Sequence, residues 1–261
     1  MTRVIGLEHL TLLGVPPPDL VTVAAEAGFG AVGLRVSPAT DGERPWPMDP
    51  GSPMLAETAL RCADAGIAVL DVEVIRLGPR QAPVTPVLET AAALGAGFAI
   101  VISEDPDLSR LADEFASLVE AARPYAVRPV VEFMAYRSVR TLADATAVAA
   151  GSGGGGVVID ALHVQRCGVG LGALRALDPA LVSYVQLSDA PAAAPADQVS
   201  EARSGRLLPG DGELPLPGLL AALPGGIPVA VEAPQRGGAA DPGVYARRAR
   251  RALASVLSQV G

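Results

Sequence analysis

The chain has 261 residues, 50% of them hydrophobic, and a net charge of -8 from 20 basic and 28 acidic residues. This composition supports a large core and excludes a disordered chain. No basic stripe offsets the negative charge, so we expect no nucleic-acid partner. The sequence has no lysine, which excludes a lysine Schiff base, and its two histidines are too few for a three-histidine zinc site in one chain.

The short apolar run at the N-terminus is interrupted by Glu8 and His9, which makes it a poor signal peptide. No stretch has the length and apolarity of a membrane span, so we expect no membrane partner. Cys62 and Cys167 form neither a disulfide framework nor a CxxC motif. A reducing, cytoplasmic location is the simplest expectation.

Eight short apolar runs alternate with longer amphipathic stretches along the chain. The predicted strands are 7–13, 30–36, 67–75, 97–102, 128–133, 156–160, 181–187 and 227–232. The predicted helices are 18–28, 53–66, 84–95, 107–123, 139–151, 170–177, 216–223 and 241–258. Nearly continuous apolar strands separated by helices indicate a parallel sheet covered on both faces. Eight such units without a break in composition predict a single α/β domain over 1–261, a (β/α)8 TIM barrel; an open doubly wound sheet is the alternative.

Two connections, 37–52 and 188–214, are long. Both follow strands, so in a barrel they lie on the active-site face and are suited to covering a substrate. For the tip at 190–204, a disordered insertion is an equally good interpretation. The glycine-rich run 151–156 leads from a helix into a strand, which is the wrong direction for a phosphate-binding loop, and we interpret it as a turn.

Four polar residues stand where predicted strands end: Glu132, Asp160, Gln186 and Glu232. The carboxyl ends of neighbouring strands converge on one mouth of a parallel barrel. Three carboxylates that meet there need protons or a cation, because desolvating an unpaired ion is unfavourable. An all-oxygen set favours a hard ion, Mn2+ or Mg2+, over Zn2+. The sequence therefore predicts a divalent-metal site.

Several segments resemble the xylose-isomerase-like TIM-barrel superfamily of sugar isomerases and epimerases. The stretch 157–168 (VVIDALHVQRCG) is similar to its D-x-x-H-x-x-R-x-G motif. The stretches 184–191 (YVQLSDAP) and 206–213 (RLLPGDGE) resemble the region that follows its seventh strand, and 229–232 (VAVE) resembles its closing strand. The resemblance covers the layout of the whole chain and is specific from 130 to 235.

The resemblance implies that Glu132, Asp160, Gln186 and Glu232 bind one divalent ion, with Mn2+ preferred and Mg2+ or Co2+ as alternatives. Many epimerases of the group carry histidine where Gln186 stands. Glutamine is similar to the arrangement in hydroxypyruvate isomerases and bacterial 3-dehydroshikimate dehydratases. A homodimer is the family-level expectation, and a small sugar or keto-polyol is the expected substrate.

The expected chemistry is proton transfer beside a carbonyl that the ion polarises. We predict Glu132 and Glu232 as ligands and as the acid/base pair, and His163 and Arg206 as groups that bind substrate oxygens. Glu73 at the same mouth has two interpretations, a contact to a substrate hydroxyl and a structural ion pair. The leading function is a metal-dependent isomerase or epimerase. The alternatives are a dehydratase that uses the same enolate chemistry and a non-catalytic or partner-dependent carbohydrate-binding barrel.

Overall fold

The computed structural model describes residues 3–79 and 82–260, and these form a closed barrel of parallel strands in sequential order, with β1 also paired to β8. The strands are β1 (Ile5–Glu8), β2 (Ala31–Arg35), β3 (Ala68–Leu77), β4 (Phe98–Ser103), β5 (Arg128–Val131), β6 (Gly156–Asp160), β7 (Val182–Leu187) and β8 (Val229–Val231). The closed ring confirms the predicted (β/α)8 TIM barrel and excludes the open doubly wound sheet.

The helices surround this barrel. They are α1 (Pro17–Ala27), α2 (Pro53–Ala65), α3 (Thr85–Leu94), α4 (Leu108–Ala122), α5 (Leu142–Ala150), α6 (Ala161–Arg166), α7 (Leu171–Arg175), α8 (Gln198–Ser204), α9 (Leu216–Ala221) and α10 (Pro242–Leu257). The first three end at glycines in the left-handed region, Gly28, Gly66 and Gly95, as the sequence predicted. None of the described helices combines the length and apolarity needed to cross a membrane.

The structure corrects the predictions at the first strand and in the second long connection. The first strand was expected at 7–13, but β1 ends at Glu8 and a 3-10 helix follows at His9–Leu12. The strand stops because the backbone N–H of Arg35 on β2 donates to the His9 Nδ1 atom at 3.1 Å. A side-chain acceptor thus replaces the backbone carbonyl that would continue the β1–β2 pairing. The tip at 190–204 contains the ordered helix α8, which the sequence pattern did not reveal.

The apolar core has two layers. The larger layer lies between the strands and the helices, where Leu20, Leu111 and Phe115 are fully buried. The smaller layer contains residues from seven strands, among them Leu70 on β3 and Tyr184 on β7, and it fills the barrel interior. Because this interior is packed with side chains, the space for a ligand lies at the ends of the strands.

Thr11 joins the first and last strands at the mouth of the barrel. Its buried hydroxyl donates to the Val231 carbonyl at 3.1 Å and accepts from the Ala233 N–H at 3.0 Å. These two residues flank Glu232. Thr11 therefore satisfies the backbone on both sides of a predicted site residue.

We expect Thr11→Val to lower the free energy of unfolding by about 1–3 kcal/mol, because a buried carbonyl and a buried N–H lose their partner. The matched control is Thr146→Val, whose hydroxyl donates only to the Leu142 carbonyl of its own helix. Urea unfolding of both variants measures the difference. An equal loss of unfolding free energy in the two variants would contradict a stabilising role for the two hydrogen bonds of Thr11.

Candidate functional site

The four polar strand-end residues gather at the carboxyl end of the barrel, and all are buried. Asp160 is directly opposite Gln186 in the β6–β7 pairing. Glu132 and Glu232 follow β5 and β8, and their N–H groups continue the ladders by donating to Val101 and Leu187 carbonyls at 3.0 Å. The parallel register thus places these side chains on adjacent strands around one mouth.

Arg206 lies between two of these carboxylates. Its Nη1 atom is 2.5 Å from Asp160 Oδ2 and 2.8 Å from Glu232 Oε2, and its Nε donates to the Ala202 carbonyl at 2.8 Å. Burial opposes the charge of this guanidinium, but the two carboxylates raise its pKa above the ordinary value. Arg206 is therefore a permanent cation that compensates Asp160 and Glu232.

Asp160 also fixes the start of α6. Its Oδ1 accepts the His163 N–H at 3.1 Å as the N-cap of the helix. Burial alone would raise the pKa of Asp160, but Arg206 and His163 lower it to about 2. The carboxylate is ionised over the whole physiological range as a result.

His163 and Glu132 face each other across the mouth. His163 Nε2 is 3.6 Å from Glu132 Oε1, and the Tyr136 ring meets the imidazole edge-on at 5.8 Å. Burial lowers the pKa of His163 to about 4, so the imidazole is neutral. Burial and the nearby Asp160 raise the pKa of Glu132 to about 8, and burial raises that of Glu232 as well.

The residues at the mouth fit a divalent ion. Glu132, Asp160 and His163 each offer a ligand atom, and these atoms lie within 4.8 Å of one another. Both polar atoms of the Gln186 amide are buried and have no hydrogen-bond partner in the described part of the chain. A buried amide without a protein partner is available to bind a ligand. Since Arg206 already contacts Asp160 and Glu232, an ion at this point shares those carboxylates with the guanidinium.

A pocket with a cavity volume of about 130 Å³ lies beside Glu132 and Glu232 and is open to solvent. Its polar lining includes both glutamates, His163 and Arg206, whereas much of its wall is apolar. The apolar and aromatic lining residues are Leu10, Leu13, Ala39, Val74, Ile100, Ile102, Met134, Tyr136 and Ala202. Buried titratable groups and an open pocket therefore meet at one place.

Glu73 lines the same pocket and forms an ion pair. Its Oε2 accepts a hydrogen bond from Arg35 Nε at 2.6 Å and also contacts Arg35 Nη2. Arg35 Nη1 reaches both oxygens of Glu43 in the connection 37–52 at 3.2 Å. The structural ion pair is thus present, and a contact between Glu73 and a substrate hydroxyl stays a prediction.

Both long connections reach the pocket, as predicted. Glu43 comes from 37–52, and Ala202, Arg203 and Arg206 come from α8 and the residues after it. Arg166 on α6 holds α8 in place through two hydrogen bonds to Glu201, at 2.8 and 2.7 Å.

Asp189 holds the base of the second connection and was not among the predicted site residues. Its buried carboxylate accepts hydrogen bonds from the backbone N–H groups of Ala190, Gly210 and Leu214 at 2.8 to 2.9 Å. The sequence feature that could have indicated Asp189 is its position three residues after Gln186, just beyond the end of β7. Tyr136 and Glu43 were also missed, since neither lies at the end of a strand.

A family model described as xylose isomerase-like TIM barrel matches residues 21–256, and the chain belongs to this family. Among solved structures, a xylose isomerase-like TIM barrel/4-hydroxyphenylpyruvate dioxygenase fusion protein is 22% identical with a TM-score of 0.83. That alignment covers 100% of this chain and 44% of the fusion protein, so the chain spans less than half of it. No curated protein matches the sequence.

Two further solved structures match over nearly their whole length. The IOLI protein, with a binding zinc atom, is 16% identical with a TM-score of 0.76, covering 99% of this chain and 98% of that one. A D-psicose 3-epimerase, in the presence of D-fructose, is 16% identical with a TM-score of 0.74 and 100% coverage of both chains. At these identities the likeness concerns the fold.

We expect Arg206→Met to lower the free energy of unfolding of the metal-free protein by about 3–5 kcal/mol, because two buried carboxylates lose their cation. Added Mn2+ should restore much of this loss. Arg203→Met is the matched control, since Arg203 lines the same pocket but is exposed. Thermal melts with and without Mn2+ measure both. A loss that Mn2+ leaves unchanged would contradict shared use of the carboxylates.

Proposed function

We propose that this protein is a divalent-metal-dependent isomerase or epimerase that acts on a small sugar or hydroxy-ketone. The observation that carries the proposal is the convergence of Glu132, Asp160, Gln186 and Glu232 at the carboxyl ends of adjacent strands, where Glu132 and Glu232 line a pocket. The match to a xylose isomerase-like family supports the reaction class.

Glu132 and Glu232 are the proposed acid/base pair. They belong to strands separated by β6 and β7, so they reach the pocket from different sides. A proton beside the substrate carbonyl is removed by one glutamate and returned by the other. Return to the opposite face inverts the carbon, and return to the neighbouring carbon moves the carbonyl.

Glu132, Asp160, Gln186 and Glu232 are also the proposed ligands of one divalent ion, with Mn2+ preferred over Mg2+ and Co2+. When bound, the ion stabilises the negative charge that develops on the substrate oxygens. The unpartnered amide of Gln186 supports its role as a neutral ligand. The 3.6 Å separation of His163 from Glu132 places the imidazole beside the first ligand, where it is positioned to share in binding the ion or the substrate.

Arg206 and His163 are the proposed substrate-binding groups. Arg206 is a buried cation in contact with two of the proposed ligands, so it is positioned to stabilise an oxyanion. His163 is neutral and offers a hydrogen bond without adding charge. Glu73, with one oxygen unpartnered within the described residues, is available to a substrate hydroxyl.

The second candidate is a lyase that ends in β-elimination from a keto-polyol, for example 3-dehydroshikimate. The observation that favours it is the apolar wall formed by Ile100, Ile102 and Met134, which offers no partner to the hydroxyl groups of an open-chain sugar. A cyclic substrate with fewer hydroxyls suits such a wall better. A homodimer remains part of the proposal from the family resemblance alone.

We expect Glu132→Gln and Glu232→Gln to reduce kcat by about 100-fold to 10,000-fold, because a proton-transfer group is lost. Exchange of the substrate's α-proton with deuterium from solvent, followed by NMR, measures the first step directly. The control is Glu120→Gln, an exposed residue paired with Arg123 on the outside of the barrel. Unchanged exchange in both site variants would refute the assignment.

Chelation of the purified protein should abolish turnover, and Mn2+, Mg2+ or Co2+ should restore it. A panel of keto-sugars and 3-dehydroshikimate separates the two reaction classes. Elimination produces an absorbing conjugated product with loss of water, whereas isomerisation and epimerisation leave the mass unchanged. Full activity in the metal-free protein would remove both candidates.

A further inference from the structure

A second group of acidic side chains lies on β1 and β3, on strands other than those that carry the proposed ligands at the mouth. It consists of Glu8 on β1 and of Asp71 and Glu73 on β3, all of them buried. One oxygen of each lies within 4.8 Å of the others. Five of the six carboxylate oxygens accept no hydrogen bond from a donor in residues 3–79 and 82–260. The sixth, Glu73 Oε2, is paired with Arg35.

The backbone makes room for this acidic group. Gly33 on β2 lies opposite Glu8 in one strand pairing and opposite Asp71 in the other. A Cβ atom at Gly33 would overlap the Glu8 carboxylate and would come 2.9 Å from Asp71 Oδ1. The two carboxylates can therefore meet only because the strand between them carries no side chain at this position.

The hydroxyl oxygen of a buried tyrosine, Tyr184, lies next to this acidic group. Tyr184 on β7 is fully buried, and its ring stacks on Phe98 with centroids 5.1 Å apart. Its hydroxyl lies against the Asp71 carboxylate but has no partner of normal hydrogen-bond geometry among the described residues. This hydroxyl belongs to a different strand and a different residue type, and it independently points to a ligand at the acidic group.

Charge in this part of the barrel is poorly compensated. Arg35 contacts the group through Glu73, and it also forms an ion pair with Glu43. Burial and the neighbouring carboxylates raise the pKa of Glu8, and they raise that of Asp71 to about 8. A divalent cation at this point would compensate two of the buried negative charges.

We propose that Glu8, Asp71 and Glu73 bind a second divalent cation inside the barrel, in addition to the proposed ion at its mouth. Only oxygen donors are present, so the ion is hard, of the Mg2+, Mn2+ or Ca2+ class. Ligand oxygens on opposite sides of such an ion are about 4 to 5 Å apart, and three oxygens that lie within 4.8 Å of one another are compatible with this limit. Glu73 lines the pocket and gives the ion a route from solvent.

The test is the number of Mn2+ ions bound per chain, determined by equilibrium dialysis and metal analysis after the full-length protein has been stripped with a chelator. The second site is removed by Asp71→Asn or by Glu8→Gln, which keep the shape of each side chain. The mouth site is removed by Asp160→Asn. Circular dichroism confirms the fold of each variant, and Glu120→Gln is the surface control.

The expected values are two ions for the wild-type protein and the surface control, and one ion for each site variant. The combination of Asp71→Asn with Asp160→Asn should bind none. Glu8→Gln answers the question independently if Asp71→Asn fails to fold. A wild-type protein that binds one ion, lost in Asp160→Asn and kept in Asp71→Asn and Glu8→Gln, overturns the second site and leaves the proposed function intact. An ion lost only in Asp71→Asn or Glu8→Gln would support the second site and contradict the mouth site.

Discussion

The interaction on which the site depends is the pairing of buried carboxylates with two buried guanidinium groups. Arg206 compensates Asp160 and Glu232, and Arg35 compensates Glu73 on another side of the same pocket. Each cation is outnumbered by the acids around it. The barrel can hold this excess only with protons or additional cations, because isolated charges are strongly disfavoured in its interior. The proposed metal binding would therefore stabilise the fold as well as serve the proposed reaction.

Much of the fold was accessible from the sequence, because buried parallel strands are read as short apolar runs and helices as amphipathic stretches. The same logic located the site, since polar residues at strand ends such as Glu132 and Asp160 must share one mouth in a closed parallel barrel. These inferences depend only on strand order and on the direction of the chain.

Features that depend on side-chain packing were not accessible. Arg206 is 46 positions from Asp160 in sequence, and no local pattern reveals that their side chains meet. Glu8 and Asp71 were hidden within apolar runs, and the role of Gly33 between them depends on the register of three strands. The end of β1 was misplaced because the side chain of His9 replaces a backbone partner, which apolar periodicity does not record.

The contacts of Asp189 have a consequence for how such a barrel can diversify. Its carboxylate accepts hydrogen bonds from N–H groups at both ends of the connection between β7 and α9. The segment 191–209 is therefore a loop whose two ends are held together by Asp189. Substitutions at exposed positions of this segment, such as Arg203, change the lining of the pocket while the buried contacts of Arg206 and the register of the strands are kept. The pocket can therefore diversify through this segment without a change in the scaffold.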